Sequence, residues 1–193
     1  MTRSAILVSG TGRSLQNLLE LERAGSLPTE TVLVVSSKAG VRALEHASAF
    51  DIASQVCEAD ALTDALDAAR VDLVVMAGYL KRWPIPDAYV GKTINIHPAL
   101  LPLFGGKGMY GHHVHEAVIA SGMRVSGCTV HFVTAEYDAG PIIGQQTVPV
   151  LWDDDPDTLA ARVFEQECAL LPQCVGMVAR REVALVEGRA VRR

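Results

Sequence analysis

The chain has 193 residues, 49% of them hydrophobic and only 5% aromatic, and a formal net charge of −5. That length fits one domain with a sizeable core, and so aliphatic an interior suits parallel strands covered by helices. The acidic balance excludes a nucleic-acid footprint, no apolar run is long enough to span a membrane, and the cysteines, lacking a CxxC pair, read as reduced thiols of a cytoplasmic protein.

Ser4–Val8 is a compact apolar strand. The segment after it, SGTGRSLQNLLELERAG, turns and becomes an amphipathic helix that ends at Gly25. Gly10 and Gly12 permit a tight turn, and Arg13 and Ser14 open a helix whose free N–H groups favour an anion. The third glycine of a dinucleotide fingerprint is missing, because Leu15 follows Ser14. The next strand, Thr31–Val35, leads into SSKAG, which has no acidic residue for an adenosine ribose. A single phosphate is the expected ligand, and NAD is not.

Val41–Phe50 reads as a helix, Ile52–Val56 as a weaker third strand and Asp60–Ala69 as another helix. Leu73–Ala77, LVVMA, is a strand buried on both faces. Repeated β-α-β units imply a parallel sheet with right-handed crossovers. In TINIHPALLP, Pro98 and Pro102 forbid a helix, so Thr93–Ile96 is a short strand and His97 stands at its end. A side-chain period of two projects Asn95 and His97 to the same side.

The segment GGKGMYGHHVHEAV holds three close histidines, His112, His113 and His115. No nearby acid or cysteine completes a metal set, so it reads as a Gly-rich loop entering a helix, with one histidine lining a pocket. Lys107 is placed to attract phosphate. Beyond residue 123 the rhythm changes. Val125–Val133 and Ile143–Val150 are strand-like runs separated by TAEYDAG, a hairpin-like excursion. A helix over Pro156–Val178 follows, with Leu159, Val163, Cys168, Leu171 and Val175 as its buried positions, and Val183–Glu187 closes the chain as a strand.

Open α/β sheets bind ligands outside the carboxyl ends of their strands. SGTGRS, AGYLKRW and NIHP all fall at such ends, and Asp138 in EYDAGPI belongs to a turn expected on the same side. An amide that donates to a developing oxyanion, an imidazole acid and a carboxylate that tunes it suit acyl transfer to an amine. No Ser or Cys sits beside His97, which favours direct attack by the amine over a covalent route.

SGTGRSLQ, VVMAGYLKR, INIHPALLP, GCTVHFVTAEYDAGPII and RVFEQECALLP occur in the order found in folate-dependent phosphoribosylglycinamide formyltransferases. The chain resembles that family over nearly its whole length. N-x-H-P-x-L-L-P with a downstream H-x-V-x-x-x-x-D-x-G is highly specific for the wider formyltetrahydrofolate transferase superfamily. The resemblance implies a single Rossmann-like α/β domain over residues 1–193, with a mostly parallel central sheet and helices on both faces. Its N-terminal half would bind the nucleotide phosphate and its C-terminal half folate. The implied reaction moves a formyl group from the co-substrate 10-formyltetrahydrofolate to the amine of 5'-phosphoribosylglycinamide in purine biosynthesis, without a metal.

By the same resemblance Asn95 holds the formyl oxygen, His97 donates a proton and Asp138 sets its charge. Gly12, Arg13, Ser14 and Leu15 match the phosphate loop, and Glu167 matches a carboxylate that reaches the ribose hydroxyls. As a residue alone, Glu167 reads as a surface carboxylate. Leu80, Lys81, Arg82 and Trp83 match one wall of the folate pocket. Thr134, Ala135, Glu136, Tyr137 and Asp138, with Asn95, match the other.

The chain departs from the family in carrying Gly12-Arg13-Ser14 where G-S-N is usual, and in a bulkier, more basic Lys81-Arg82-Trp83. A basic folate contact that some relatives carry between strands three and four has no counterpart here. The implied partners are small molecules, with neither nucleic acid nor membrane, and the chain would be a monomer or homodimer. The alternatives are a sibling transferase, a formyltetrahydrofolate hydrolase and a non-catalytic phosphosugar-binding module.

Overall fold

The computed structural model describes residues 1–193. Unbroken aliphatic runs become the innermost strands. Leu73–Met76 (β4) is buried at every position and pairs in parallel with Thr2–Val8 (β1). Thr29–Ser36 (β2) and Ser54–Val56 (β3) extend the sheet on one side. Thr93–His97 (β5), Val125–Phe132 (β6) and Ile142–Pro149 (β7) extend it on the other, giving the order β3-β2-β1-β4-β5-β6-β7. The first five strands are parallel, whereas β6 runs antiparallel to β5 and β7 antiparallel to β6. The sheet is therefore mostly parallel, as expected.

The helices are Arg13–Arg23 (α1), Arg42–Ala49 (α2), Leu62–Ala68 (α3), His112–Ala120 (α4) and Pro156–Ala179 (α5). On one face of the sheet a cluster of 27 buried residues gathers α1, α2 and α5; the other face, with α3, Trp83 and Tyr89, holds 12. Most of the core therefore lies beneath α1 and α5. Leu15, Leu18 and Leu19 give α1 its buried stripe. At the start of α5 Asp155 and Thr158 cap each other reciprocally, with a proline in the first turn.

Pro172 sits inside α5 and is buried. Having no N–H, it cannot bond to the carbonyl four residues earlier, that of Cys168. The amide of Asn17 in α1 donates to that carbonyl at 2.9 Å. The helix break is thus turned into a specific joint between α1 and α5.

Three details differ from the sequence reading. The third strand is shorter, an exposed edge of three residues. Cys168 is only half-buried, on the side of α5 that meets α1, and Leu170 and Cys174 take up the core positions. Val183–Val186 (β8) is followed by an unanticipated strand, Arg189–Arg192 (β9), with which it pairs antiparallel. Their turn uses positive φ at Glu187 (47°) and Gly188 (74°), and Glu is an uncommon residue in that conformation, so the usual hairpin signature is absent. No helix is long and apolar enough to cross a membrane.

The α1–α5 joint is testable. Asn17→Ala leaves a carbonyl without a partner and is expected to lower unfolding stability by about 1–3 kcal/mol in urea titrations. In a Pro172→Ala background the helix regains its own donor, so the same change should cost markedly less; additive losses would refute the joint.

Candidate active site

The strand order reverses between β1 and β4, and the loops that follow these two strands open at that point. Ser9 ties them together: its hydroxyl accepts from the Leu80 N–H at 2.9 Å and bonds the Ser37 hydroxyl at 2.6 Å. Gly12 caps α1 with φ 75° and offers no side-chain acceptor. A Cβ there would stand 2.7 Å from the Ala43 backbone, so only glycine fits. The first N–H groups of α1 are left for a ligand, and the helix dipole makes that ligand an anion.

Arg13 does not trail into solvent. Its guanidinium lies 3.9 Å above the Phe164 ring of α5. Glu167 stands one turn further along the same helix. A cavity of about 390 Å³ is lined by Gly12, Arg13, Ser14, Phe164 and Glu167. Burial pushes the Glu167 carboxyl up to about 7, against the opposing pull of Arg13. Glu167 is half-buried and lines the cavity wall, so it is not the free surface carboxylate its position in the sequence suggests. Leu15 brings only its backbone, because its side chain is fully buried in the core.

A second space of about 380 Å³ shares Gly78, Leu80, Ile96 and Pro98 with the first, and Asn95, His97 and Asp138 line it together. The Nε2–H of His97 donates to the Phe104 carbonyl at 2.7 Å. Its Nδ1 then faces Asp138 Oδ2 at 3.6 Å. Asp138 also accepts from the Gly106 N–H at 2.8 Å. Burial pulls His97 below its ordinary value although Asp138 and the Phe104 carbonyl oppose it. The spacing of an ion pair therefore holds an uncharged ring, poised to take a proton. Burial pushes the Asp138 carboxyl up, but the facing imidazoles of His131 and His97 and the Gly106 N–H outweigh it and set it below its ordinary value.

His131 is the residue that sequence reasoning missed. It is buried, and antiparallel pairing places it directly opposite Asn95. Its Nδ1–H donates to the Phe132 carbonyl at 2.8 Å, which leaves Nε2 to accept from Asn95 Nδ2 at 3.1 Å. Nε2 also lies 3.7 Å from Asp138 Oδ1. The signal was the first position of the H-x-V motif, which becomes meaningful only once β5 and β6 are paired.

A third, smaller hollow of about 70 Å³ adjoins these groups, between Lys81–Trp83 and Thr134–Asp138, with Asn95 and His131 at its base. Trp83 belongs largely to the core: it is 4% exposed, its Nε1 donates to Thr63, and it tilts against Tyr89. Lys81 pairs with Glu58 at 3.2 Å and Arg82 reaches the Ala135 carbonyl. His112 is engaged by Asp157 and Glu116 at 3.2 and 3.4 Å. No group of three metal-binding side chains is present.

Residues 2–175 match the family described as formyl transferase. The chain is 39% identical over 192 residues to the chloroplastic phosphoribosylglycinamide formyltransferase of Arabidopsis thaliana, covering 93% of this chain and 66% of that protein. It is 34% identical to the phosphoribosylglycinamide formyltransferase of Haemophilus influenzae, covering 89% of this chain and 84% of that one. The crystal structure of glycinamide ribonucleotide transformylase 1 from Symbiobacterium toebii superposes with a TM-score of 0.91 at 34% identity, covering 100% of this chain and 94% of that one. The chain thus spans slightly less than two thirds of the Arabidopsis protein.

The state of Glu167 has a measurable consequence. The folded carboxyl holds its proton up to about pH 7, whereas in the unfolded chain it ionises near the ordinary 4.5. Between these values the folded state binds more protons, so this group's contribution to stability falls as pH rises. Glu167→Gln is expected to raise the melting temperature at pH 8 and to leave it nearly unchanged at pH 4. An equal shift at both pH values would show that burial does not suppress ionisation.

Proposed function

The chain belongs to the formyl transferase family, and from that premise we propose that it transfers a formyl group from 10-formyltetrahydrofolate to the amine of 5'-phosphoribosylglycinamide. The observation that carries this reading is the position of Asn95, His97 and Asp138. They line the space that joins the cavity at the α1 N-terminus to the hollow beside Lys81–Trp83. An anionic ribonucleotide and a bulky folate would meet there.

In this reading the phosphate rests on the N–H groups of Gly12 to Leu15, and Glu167 meets the ribose hydroxyls. The pterin enters between Leu80–Trp83 and Thr134–Asp138, which sets the formyl carbon beside Asn95. The N-terminal half thus supplies the phosphate site and the C-terminal half most of the folate wall. Attack by the amine forms a C–N bond and places negative charge on the formyl oxygen. Asn95, oriented by His131, donates to that oxygen.

His97 has Nε2 committed to Phe104, so Nδ1 is the nitrogen that exchanges a proton, beside Asp138. The amine gives up a proton, the folate nitrogen gains one, and the bond from the formyl carbon to that nitrogen breaks. The partners are small molecules, with no metal in any step. The spread of the site over one chain is compatible with a monomer or a homodimer.

Tetrahydrofolate release, followed by absorbance with and without the ribonucleotide, tests the reaction: dependence on the amine identifies a transferase, and independence identifies a hydrolase. His97→Ala is expected to lower kcat about 10²–10⁴-fold with a smaller change in KM. Asn95→Ala should lower it about 10²–10³-fold. Asp138→Asn removes the charge that opposes burial at His97, so the limb of the pH profile reporting the protonated ring should move to lower pH. Near-normal turnover in His97→Ala would sink this mechanism.

A further inference from the structure

The three histidines of the Gly-rich segment have different surroundings. His112 is held by Asp157 and Glu116, and His113 by Glu116 at 3.2 Å on the protein surface. His115 is 4% exposed, and its Nδ1 is enclosed with no hydrogen-bond partner. It lines the 390 Å³ cavity together with Gly12, Arg13 and Ser14. A buried polar atom without a partner weakens the fold, so its presence needs a reason.

An enclosed orphan N–H is rarer and costlier than an enclosed lone pair. Nδ1 is therefore the unprotonated nitrogen, and Nε2 carries the hydrogen toward the cavity. Burial, with His112 and His97 adding to it, pulls the ring down to about 4, with only Asp157 opposing. At neutral pH it is an uncharged donor. Such a donor is matched to an uncharged oxygen, because a phosphate would draw in a second proton and leave Nδ1–H buried without an acceptor.

We propose that His115 is a substrate-positioning residue that donates one hydrogen bond to an uncharged oxygen of the ribonucleotide, lying between its phosphate and its amine. This rests on the substrate reading above. The oxygen belongs either to the ribose or to the glycinamide carbonyl. His115 sets the depth at which the substrate sits, while the phosphate loop sets its end.

The test compares calorimetric binding of phosphoribosylglycinamide, ribose 5-phosphate and inorganic phosphate to the unaltered chain and to His115→Phe. The ribonucleotide Kd is expected to rise about 3–10-fold, the value of one neutral hydrogen bond, with the Kd of inorganic phosphate unchanged. The melting temperature of the empty protein should hold or rise, because the orphan nitrogen is gone. A matching loss with ribose 5-phosphate assigns the bond to the ribose; its absence assigns it to the carbonyl.

Should Phe disturb the fold, His115→Gln, which keeps an N–H, is expected to bind the ribonucleotide more tightly than His115→Ala. An unchanged ribonucleotide Kd in His115→Phe, or an equal loss for inorganic phosphate, overturns the inference alone. An unaltered chain that binds no phosphoribosylglycinamide overturns the substrate reading and the inference with it.

Discussion

A carboxylate that is mostly withdrawn from water has to be held by its surroundings, and the polar end of this site is arranged around Asp138, with the Gly106 N–H as its direct donor and two imidazoles facing its oxygens. Its φ of 54° is a conformation in which Asp is tolerated better than most residues. The turn thereby brings both oxygens within reach of three groups from separate segments. The Gly106 N–H comes from the loop after β5, His97 from the end of β5 and His131 from β6. Gly105, next in line, has no room for a side chain: a Cβ would meet Leu101 at 2.6 Å and Asp138 at 3.1 Å. Moving Asp138 would therefore disturb the loop, both imidazoles and, through His131, the orientation of Asn95.

The loop between β5 and α4 is held from a second direction. The Thr129 hydroxyl donates to the Ala99 carbonyl at 2.7 Å and accepts from the Leu101 N–H at 3.1 Å. Gln145 bonds both Thr129 and the Leu101 carbonyl. This clamp lies a few residues before Phe104, whose carbonyl fixes the His97 tautomer and which itself adopts a φ of 54°. The antiparallel strands β6 and β7 thus hold rigid a polar turn that the parallel half of the sheet could not hold alone. At the other end the Asn17–Cys168 bond does similar work, setting α5 so that Phe164 and Glu167 line one cavity with Gly12, Arg13 and Ser14.

Much of this was legible in the residues. The aliphatic strands, the glycine turn before α1 and the Asn95/His97 pair at a strand end follow from local rules of period and backbone freedom. What stayed hidden depends on contacts between distant segments. Cys168 reads as core from its spacing alone, because the role of Asn17 at its carbonyl lies 151 positions away. His131 looks like an ordinary strand residue until its register with Asn95 is known. Arg13 has no readable direction before α5 supplies an aromatic face. Glu167 shows how far local reading falls short: nothing near it in sequence implies that burial would suppress its charge, and only the resemblance pointed to it.

The site also carries a gradient of charge that a chain of net charge −5 would not suggest. At the α1 end, the guanidinium of Arg13 stands with the positive helix terminus, and Glu167 beside them, pushed up to about 7, is only partly ionised at neutral pH. Along the middle, His115 is held neutral. At the far end the only fixed charge in the trio is the Asp138 carboxylate, since burial holds His97 uncharged. In the proposed reading, this gradient favours one orientation of a substrate with a phosphate at one end and an amine at the other. The reverse orientation would bring phosphate against a carboxylate and an ammonium against an arginine. Desolvation thus shapes the field along the groove by weakening the charges of Glu167, His115 and His97, while Arg13 at one end and Asp138 at the other keep theirs.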